Sequence, residues 1–288
     1  MRKDKKKSFL VRNFIFILFA VLFVVSFLMA AASYWNKWND KRELKKQQEA
    51  LEEIKETTET TETESAMDSV SSDEEIYTGP EMLPEYQALY DENPDIIGWL
   101  KIEGTNIDYP VMQTMDDEVY YIDKGFDKKE NSNGCLIMDT DSNVGVGDRE
   151  HAYQYGSAPS TNLIIHGHTM KSGEMFGNLN LYADAAYGAE HSVICFDSLY
   201  EHRRYEVIAV FYSQIYYVDQ EVFKYYKFFR ADTQDEFDDW YNNIKQLSLY
   251  DTGVTAQFGD EFITLSCCSY HVEDGRFVVV GKRIPVDE

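Results

Sequence analysis

Near its end the chain places two thiols side by side, Cys267 and Cys268, in the stretch EFITLSCCSYHVEDGRFVVVGKRI (Glu261 to Ile284), and an arginine follows at Arg276. A cation beside a thiol favours the thiolate nucleophile, and the five-donor guanidinium fork can equally hold an oxyanion. If 261–268 is a strand, period-two alternation sets Ile263, Leu265 and Cys267 on one face and Thr264, Ser266 and Cys268 on the other. Cys267 then shares the apolar face and is expected to be a buried small hydrophobe. Cys268 ends the polar face at the mouth of a hairpin, whose turn through Glu273, Asp274 and Gly275 brings Arg276 alongside it. A second stretch, NLIIHGHTM (Asn162 to Met170), carries His166 and His168 at a strand end, with the intervening glycine expected to let the chain turn. Thiol, guanidinium and imidazoles together point to Cys/His nucleophilic chemistry.

Rival assignments are weaker. His271 is three residues past Cys268, but a hairpin neighbour on the same chain rarely reaches the approach line a base needs. The HxH pair offers two metal ligands with no third nearby in sequence, and Cys135, Cys195, Cys267 and Cys268 contain no CxxC pair. Asp139, Asp141, Asn143 and Glu150 match positions of a calcium loop, but Val144 stands where that loop needs glycine. Cys135 and Cys195, inside apolar runs, are expected in the core.

The elements that must position these groups are mostly strands. WLKIEG, NIDYPVMQ, GCLIMDT, TNLIIHGH, HSVICFD, RYEVIAVFYSQ, EFITLSCCSY and RFVVVGKRI are β-branched and aromatic runs separated by Gly, Asn and Asp turns. Eight such runs suggest a closed barrel or a sandwich. A helix is expected from Pro84, with Tyr86, Leu89 and Tyr90 along one face, closing before Asn93-Pro94. Another is expected over 233–250, where Thr233 and Glu236 fit a capping box and Phe237, Trp240, Tyr241, Ile244 and Leu247 fall at helical spacing. That stripe is expected to pack on the β core.

The whole chain has 288 residues, 27 Lys+Arg against 51 Asp+Glu, and a formal charge of -24. So acidic a chain repels phosphate backbones, which argues against nucleic acid as a partner. An aromatic content of 15% argues against wholesale disorder, and four cysteines are too few for a disulfide-built scaffold. Residues 1–13 carry six basic residues and one acid, a cytoplasmic basic tip, and Phe14 to Ala32 then carry no charge. At about 1.5 Å rise per residue that run spans a hydrocarbon core of roughly 30 Å, so a single transmembrane signal anchor is expected over 14–34, with the N-terminus cytoplasmic and the rest outside. Trp35 and Trp38 sit where an interfacial belt belongs. A cleaved signal peptide ending near Ala30 to Ala32 is the competing reading; an apolar run longer than an h-region of about 7 to 15 residues favours the anchor.

Residues 35–80 are expected to be an extracellular stalk: Leu44, Leu51 and Ile54 allow a short helix, and TTETTETESAMDSVSSDEE has almost nothing to bury. The globular domain is then 81–288, one substantial core. Through residue 80 there are 12 basic and 14 acidic residues, which leaves 15 and 37 in the domain, a net of -22. Partners carrying positive charge are expected to reach such a domain most readily.

The segment TLSCC (Thr264 to Cys268) resembles the TLSTC signature of sortases, the cell-wall transpeptidases of Gram-positive bacteria. RFVVVGKRI resembles the strand that carries their catalytic arginine, and IIHGH their strand-end histidine motif, usually Tyr-Gly-His. NPDIIGWLKIEGTNIDYPVMQ and MDTDSN resemble class B segments, and the helix at 233–250 resembles the extra helix of that class between strands six and seven. The resemblance covers nearly all of 81–288. It implies a mostly β fold, an eight-stranded sortase-type barrel with N-terminal helices and that inserted helix.

It also implies roles: Cys268 as nucleophile, His168 as general acid/base and Arg276 as stabiliser of the substrate carbonyl and oxyanion, with Ser266, Thr264 and His166 shaping the site. Cys267 stands where the family has threonine, and His166 where it has tyrosine. The implied reaction is cleavage of an LPxTG-like sorting signal of secreted proteins through a thioacyl enzyme, which a peptidoglycan amine resolves, with no metal or organic cofactor. A pilin lysine as acceptor, water as acceptor (a cysteine endopeptidase), and a non-catalytic surface scaffold are the alternatives.

Overall fold

The eight apolar runs form eight strands in a computed structural model that describes residues 21–35, 38–39, 41–42, 44–55, 81–146 and 158–285. They are β1 (Ile96–Lys101), β2 (Asp108–Met112), β3 (Leu136–Met138), β4 (Asn162–Gly167), β5 (Val193–Ser198), β6 (His202–Gln214), β7 (Phe262–Cys268) and β8 (Gly275–Arg283). Their order round the sheet is β1-β2-β3-β4-β7-β8-β6-β5, and β5 pairs back onto β1. The architecture is therefore a closed barrel rather than a sandwich. Two neighbours are parallel, β2 with β3 and β4 with β7; the others are antiparallel.

Among the described residues of 81–288, three α-helices accompany the barrel, α1 (Pro84–Glu92), α2 (Ala185–Glu190) and α3 (Gln234–Leu247), and residues 44–55 are helical as well. Proline at its first position starts α1, and Asn93 closes it. The expected capping box starts α3: Glu236 donates its N–H to the Thr233 hydroxyl, while its carboxylate accepts from the Thr233 N–H. Phe237, Trp240 and Ile244 bury the apolar stripe of α3 against Ile208 and Phe211 of β6, Phe262 of β7, and Val278 and Val280 of β8. This helix lies between the sixth and seventh strands, as the resemblance implies.

Contacts divide the chain into two units, residues 1–45 and 46–288. In the first, residues 21–35 are helical, the Trp35 and Trp38 rings lie 5.5 Å apart, and the Arg42 guanidinium is 4.8 Å from the Trp38 ring. Among the described residues no helix is long and apolar enough to cross a membrane. The anchor expected over 14–34 begins in residues 14–20, which lie outside those described, as do residues 56–80 of the expected stalk.

The second unit begins earlier than the expected boundary at residue 81. Residues 46–55 are not a free stalk: Leu51 is buried with Tyr86 and Leu89 of α1, Ile96 and Trp99 of β1, and Met112 of β2. Gln48 Nε2 donates to the Asp108 carbonyl at 2.9 Å, and Lys55 Nζ donates to the Tyr86 hydroxyl at 2.7 Å. The near-heptad Leu51 and Ile54 are spaced for a partner surface, and that surface is the barrel.

Candidate active site

Strand register brings the sequence-predicted groups to one face. In the β7–β8 ladder Cys268 lies directly opposite Arg276 and Ser266 opposite Val278, so each pair projects to the same side. The parallel β4–β7 ladder sets His166 level with Ser266 and Gly167 level with Cys267, which carries the next residue, His168, to the level of Cys268. Alternation then puts His166, His168, Ser266, Cys268 and Arg276 on one side of the sheet, the side that α3 covers further down. His166, His168, Ser266, Cys268 and Arg276 all line a cleft of about 230 Å³, with Glu118, Val119, Ile122, Cys135, Ile137, Gly167 and Cys267 completing its walls.

The two adjacent thiols have opposite surroundings. Cys268 is exposed, whereas Cys267 is buried and burial pushes its thiol up to about 11. All four cysteines are free. The hairpin that aims Arg276 is tight: Ser269 donates its N–H to the Gly275 carbonyl at 2.8 Å, and a Cβ on Gly275 would lie 2.3 Å from the Ser269 oxygen. Arg276 Nη1 in turn donates to the carbonyls of Asp274 and Gly275 at 3.2 and 3.0 Å. These bonds hold the guanidinium at the mouth of the hairpin.

His168 is fixed from two directions. Its Nε2 lies 2.7 Å from the Ile122 carbonyl, which can only accept, so Nε2 carries the proton and Nδ1 is the ring's acceptor. The Thr169 hydroxyl donates to the Cys268 carbonyl at 2.5 Å and ties the backbone after the histidine to the backbone of the exposed thiol. Gly167 is the last residue of β4, so His168 follows directly on the strand end as expected, and Gly167 is not among the glycines with a left-handed backbone. Glycine is required there for close packing: a Cβ would meet Leu136 and Phe176 side chains at 2.6 Å.

The polar face of β7 is not a wet one. Thr264 and Ser266 are both buried. Ser266 Oγ is 2.7 Å from the Tyr225 hydroxyl, and the Thr264 hydroxyl donates to Asn162 Oδ1 at 2.8 Å. Ser266 thus shapes the cleft floor through Tyr225, while Thr264 lies deeper and outside the cleft lining. His271 turns away, its Nδ1 2.9 Å from Ser269 Oγ and its ring 4.8 Å from the Tyr212 ring. Cys135 is buried as expected, its thiol pushed up to about 12 by burial. Cys195 is not in the core: it is half-buried, on the side of β5 where it faces Lys101 and Arg204.

His166 meets partners that the sequence did not disclose. Its Nε2 lies 3.3 Å from Asp139 Oδ2, and Glu118 joins them, the three ligand atoms lying within 4.8 Å of one another. Burial pushes the Asp139 carboxyl up, but hydrogen bonds from His166 and the Asp141 N–H, with the charges of His166 and Lys227, outweigh it and hold the group below its ordinary range. Burial and the charge of Asp139 both push Glu118 the other way, up. Asp139 also accepts the Asp141 N–H at 3.0 Å, and Glu150, the last position of the calcium-loop pattern that Val144 breaks, lies outside the described residues.

An exposed cysteine, an arginine across its hairpin and a strand-end histidine on one outer face of a closed eight-stranded barrel define a cysteine acyl-transfer fold. No protein-family model matches the chain. It is 30% identical over 208 residues to a sortase B of Listeria monocytogenes, an alignment covering 71% of this chain and 76% of that protein. Among solved structures it superposes on a sortase B from Bacillus anthracis with a TM-score of 0.58 and 28% identity, covering 73% of this chain and 92% of that one. A Staphylococcus aureus sortase B–substrate complex matches with a TM-score of 0.62 at 21% identity, covering 82% and 95%, a likeness of fold. The chain belongs to the class B sortase family and is a sortase-type cysteine transpeptidase.

Proposed function

We propose that the chain cleaves an LPxTG-like sorting signal of secreted proteins and joins the new carboxyl end to an amine of peptidoglycan, working from the outer face of a membrane that its N-terminal segment spans. The observation that carries this reading is the register that sets Cys268 across from Arg276 and level with His168. The Cys268 thiolate attacks the threonine carbonyl of the signal and forms the C–S bond, while the Arg276 fork holds the oxyanion. The C–N bond to the following residue breaks, and His168 passes a proton to the departing amine. With Nε2 held by the Ile122 carbonyl, Nδ1 is the atom that gives and regains that proton. The acceptor amine then attacks the thioester, returns its proton to His168 and releases the Cys268 thiolate. The solved S. aureus sortase B–substrate complex supports a sorting-signal substrate for this fold.

The test is cleavage of a panel of sorting-signal peptides by the full chain, analysed by mass with and without an added amine. Cys268→Ala is expected to abolish cleavage, and Cys267→Thr, which restores the family's residue beside the nucleophile, to retain it. The reverse pattern overturns the assignment of the nucleophile. A product that stays hydrolytic whatever amine is supplied makes the protein an endopeptidase.

A further inference from the structure

We propose that Glu118, Asp139 and His166 form a site for one divalent transition cation of the zinc class, set in the wall of the catalytic cleft. Three side chains from separate parts of the chain present one nitrogen and two carboxylates, with the ligand atoms all within 4.8 Å of one another. The His166 Nε2 to Asp139 Oδ2 separation is 3.3 Å. That is long for a charge-assisted hydrogen bond, which runs at about 2.7–2.9 Å. It is close to the edge of a tetrahedron with metal–ligand bonds of about 2.0–2.1 Å, roughly 3.3 Å.

Two of the ligands are held in place before any ion arrives. His166 stands in β4, paired with Ile137 on one side and Ser266 on the other. Asp139 takes the Asp141 N–H on Oδ1 at 3.0 Å, which leaves Oδ2 turned to the imidazole, and its own N–H donates to the Ile164 carbonyl at 2.9 Å. Such outer bonds orient metal ligands. Glu118 is exposed and brings the third arm, and its carboxylate feels the like charge of Asp139, a repulsion that a cation between them removes.

The donor set selects the metal class. One imidazole and two carboxylates suit zinc, cobalt, nickel or manganese, whereas calcium needs six to eight oxygens. Three protein ligands leave a coordination position for water or for a group of a cleft-bound molecule. His166 is where the sortase motif usually has tyrosine, so the imidazole arm belongs to this chain rather than to the motif.

The experiment is calorimetric titration of Zn²⁺ into the full chain carrying Cys268→Ala, which removes the exposed thiol as a competing ligand. One equivalent is expected to bind, and His166→Phe and Asp139→Asn, each added singly, are expected to weaken it at least tenfold. Co²⁺ in place of Zn²⁺ is expected to give a visible absorption band that both substitutions abolish. No stoichiometric binding in the Cys268→Ala protein, or binding that survives Asp139→Asn unchanged, overturns the proposal.

Discussion

On one side of the barrel α3 lays an aromatic stripe over β6, β7 and β8; on the other, residues 46–55 and α1 cover β1 to β3. The first contact is apolar and stacked. Phe228 and Trp240 rings lie 4.3 Å apart at 11°, and Trp240 meets Phe262 at 4.7 Å. The second is threaded by a polar chain. Lys55 Nζ donates to the Tyr86 hydroxyl, which donates to Asp197 Oδ2 at 2.7 Å, and His202 bridges Asp197 Oδ1 at 3.1 Å and Glu85 Oε1 at 3.3 Å. Lys55 Nζ also sits 4.6 Å from the Tyr86 ring centroid and 5.4 Å from that of Trp99. The cleft that holds Cys268 draws walls from both sides, Ser266 braced by Tyr225 from the α3 side and Cys135 and Ile137 from the other. One face is held by stacked aromatic area alone, the other by an apolar cluster of comparable extent with a few directional bonds threaded across it.

That difference is breakable. Trp240→Ala removes the centre of the stacked stripe, and large-to-small aromatic changes in a core cost about 3–5 kcal/mol. A urea denaturation midpoint is expected to register a loss of that size. On the opposite face Leu51→Ala removes the one side chain of residues 46–55 that is fully buried there, at the periphery of its cluster. Its cost is expected near the low end for leucine, about 2 kcal/mol. If Leu51→Ala proves as damaging as Trp240→Ala, the contrast between an apolar and a polar face fails, and residues 46–55 belong to the core proper.

The same contrast decides what a linear string of residues can reveal. The α3 stripe and its capping box are local patterns, residues three and four apart, so both are legible in the residue order alone. The alternation in β7 likewise separates Cys267 from Cys268, because parity within a strand is local too. Barrel closure is legible only through the family resemblance and not through periodicity: it needs β5 to return to β1 and β4 to lie parallel to β7, pairings between segments roughly a hundred residues apart that leave no periodic trace. The place of residues 46–55 is not legible, since nothing in the residue order ties Lys55 and Asp197 to Tyr86 until the fold brings them together. Glu118 and Asp139 are hidden for the same reason. The polar face of β7 misleads because Thr264 and Ser266 suggest solvent, whereas Asn162 and Tyr225 satisfy them under cover.

The smallest effect is also the one most specific to the polar face, because it rests on a histidine, His202, in that face's chain of polar contacts. The hydrogen bond and charge of Asp197 raise His202 above its ordinary value of about 6.5, with the charge of Glu85 adding to them. Burial pushes Asp197 up, but hydrogen bonds from His202 and Tyr86 and the charges of His202 and Lys55 outweigh it and hold the carboxyl below its ordinary value of about 3.9. A raised histidine contributes stability that is complete below its unfolded value and is lost as pH rises through the folded one; a depressed carboxylate contributes above its unfolded value and loses the contribution as pH falls through the folded one. The clasp over α1 is therefore strongest between about pH 4 and 6.5, and it loosens on the alkaline side as His202 gives up its proton. His202 has a side chain 60% exposed, so solvent screening keeps the effect modest. Denaturation midpoints of the full chain between pH 5 and 8 are expected to fall less steeply in His202→Gln than in the unsubstituted protein, whereas Trp240→Ala shifts every midpoint down and keeps the slope. Equal slopes with and without His202 would remove the histidine from the clasp and leave Lys55, Tyr86 and Asp197 to hold the face.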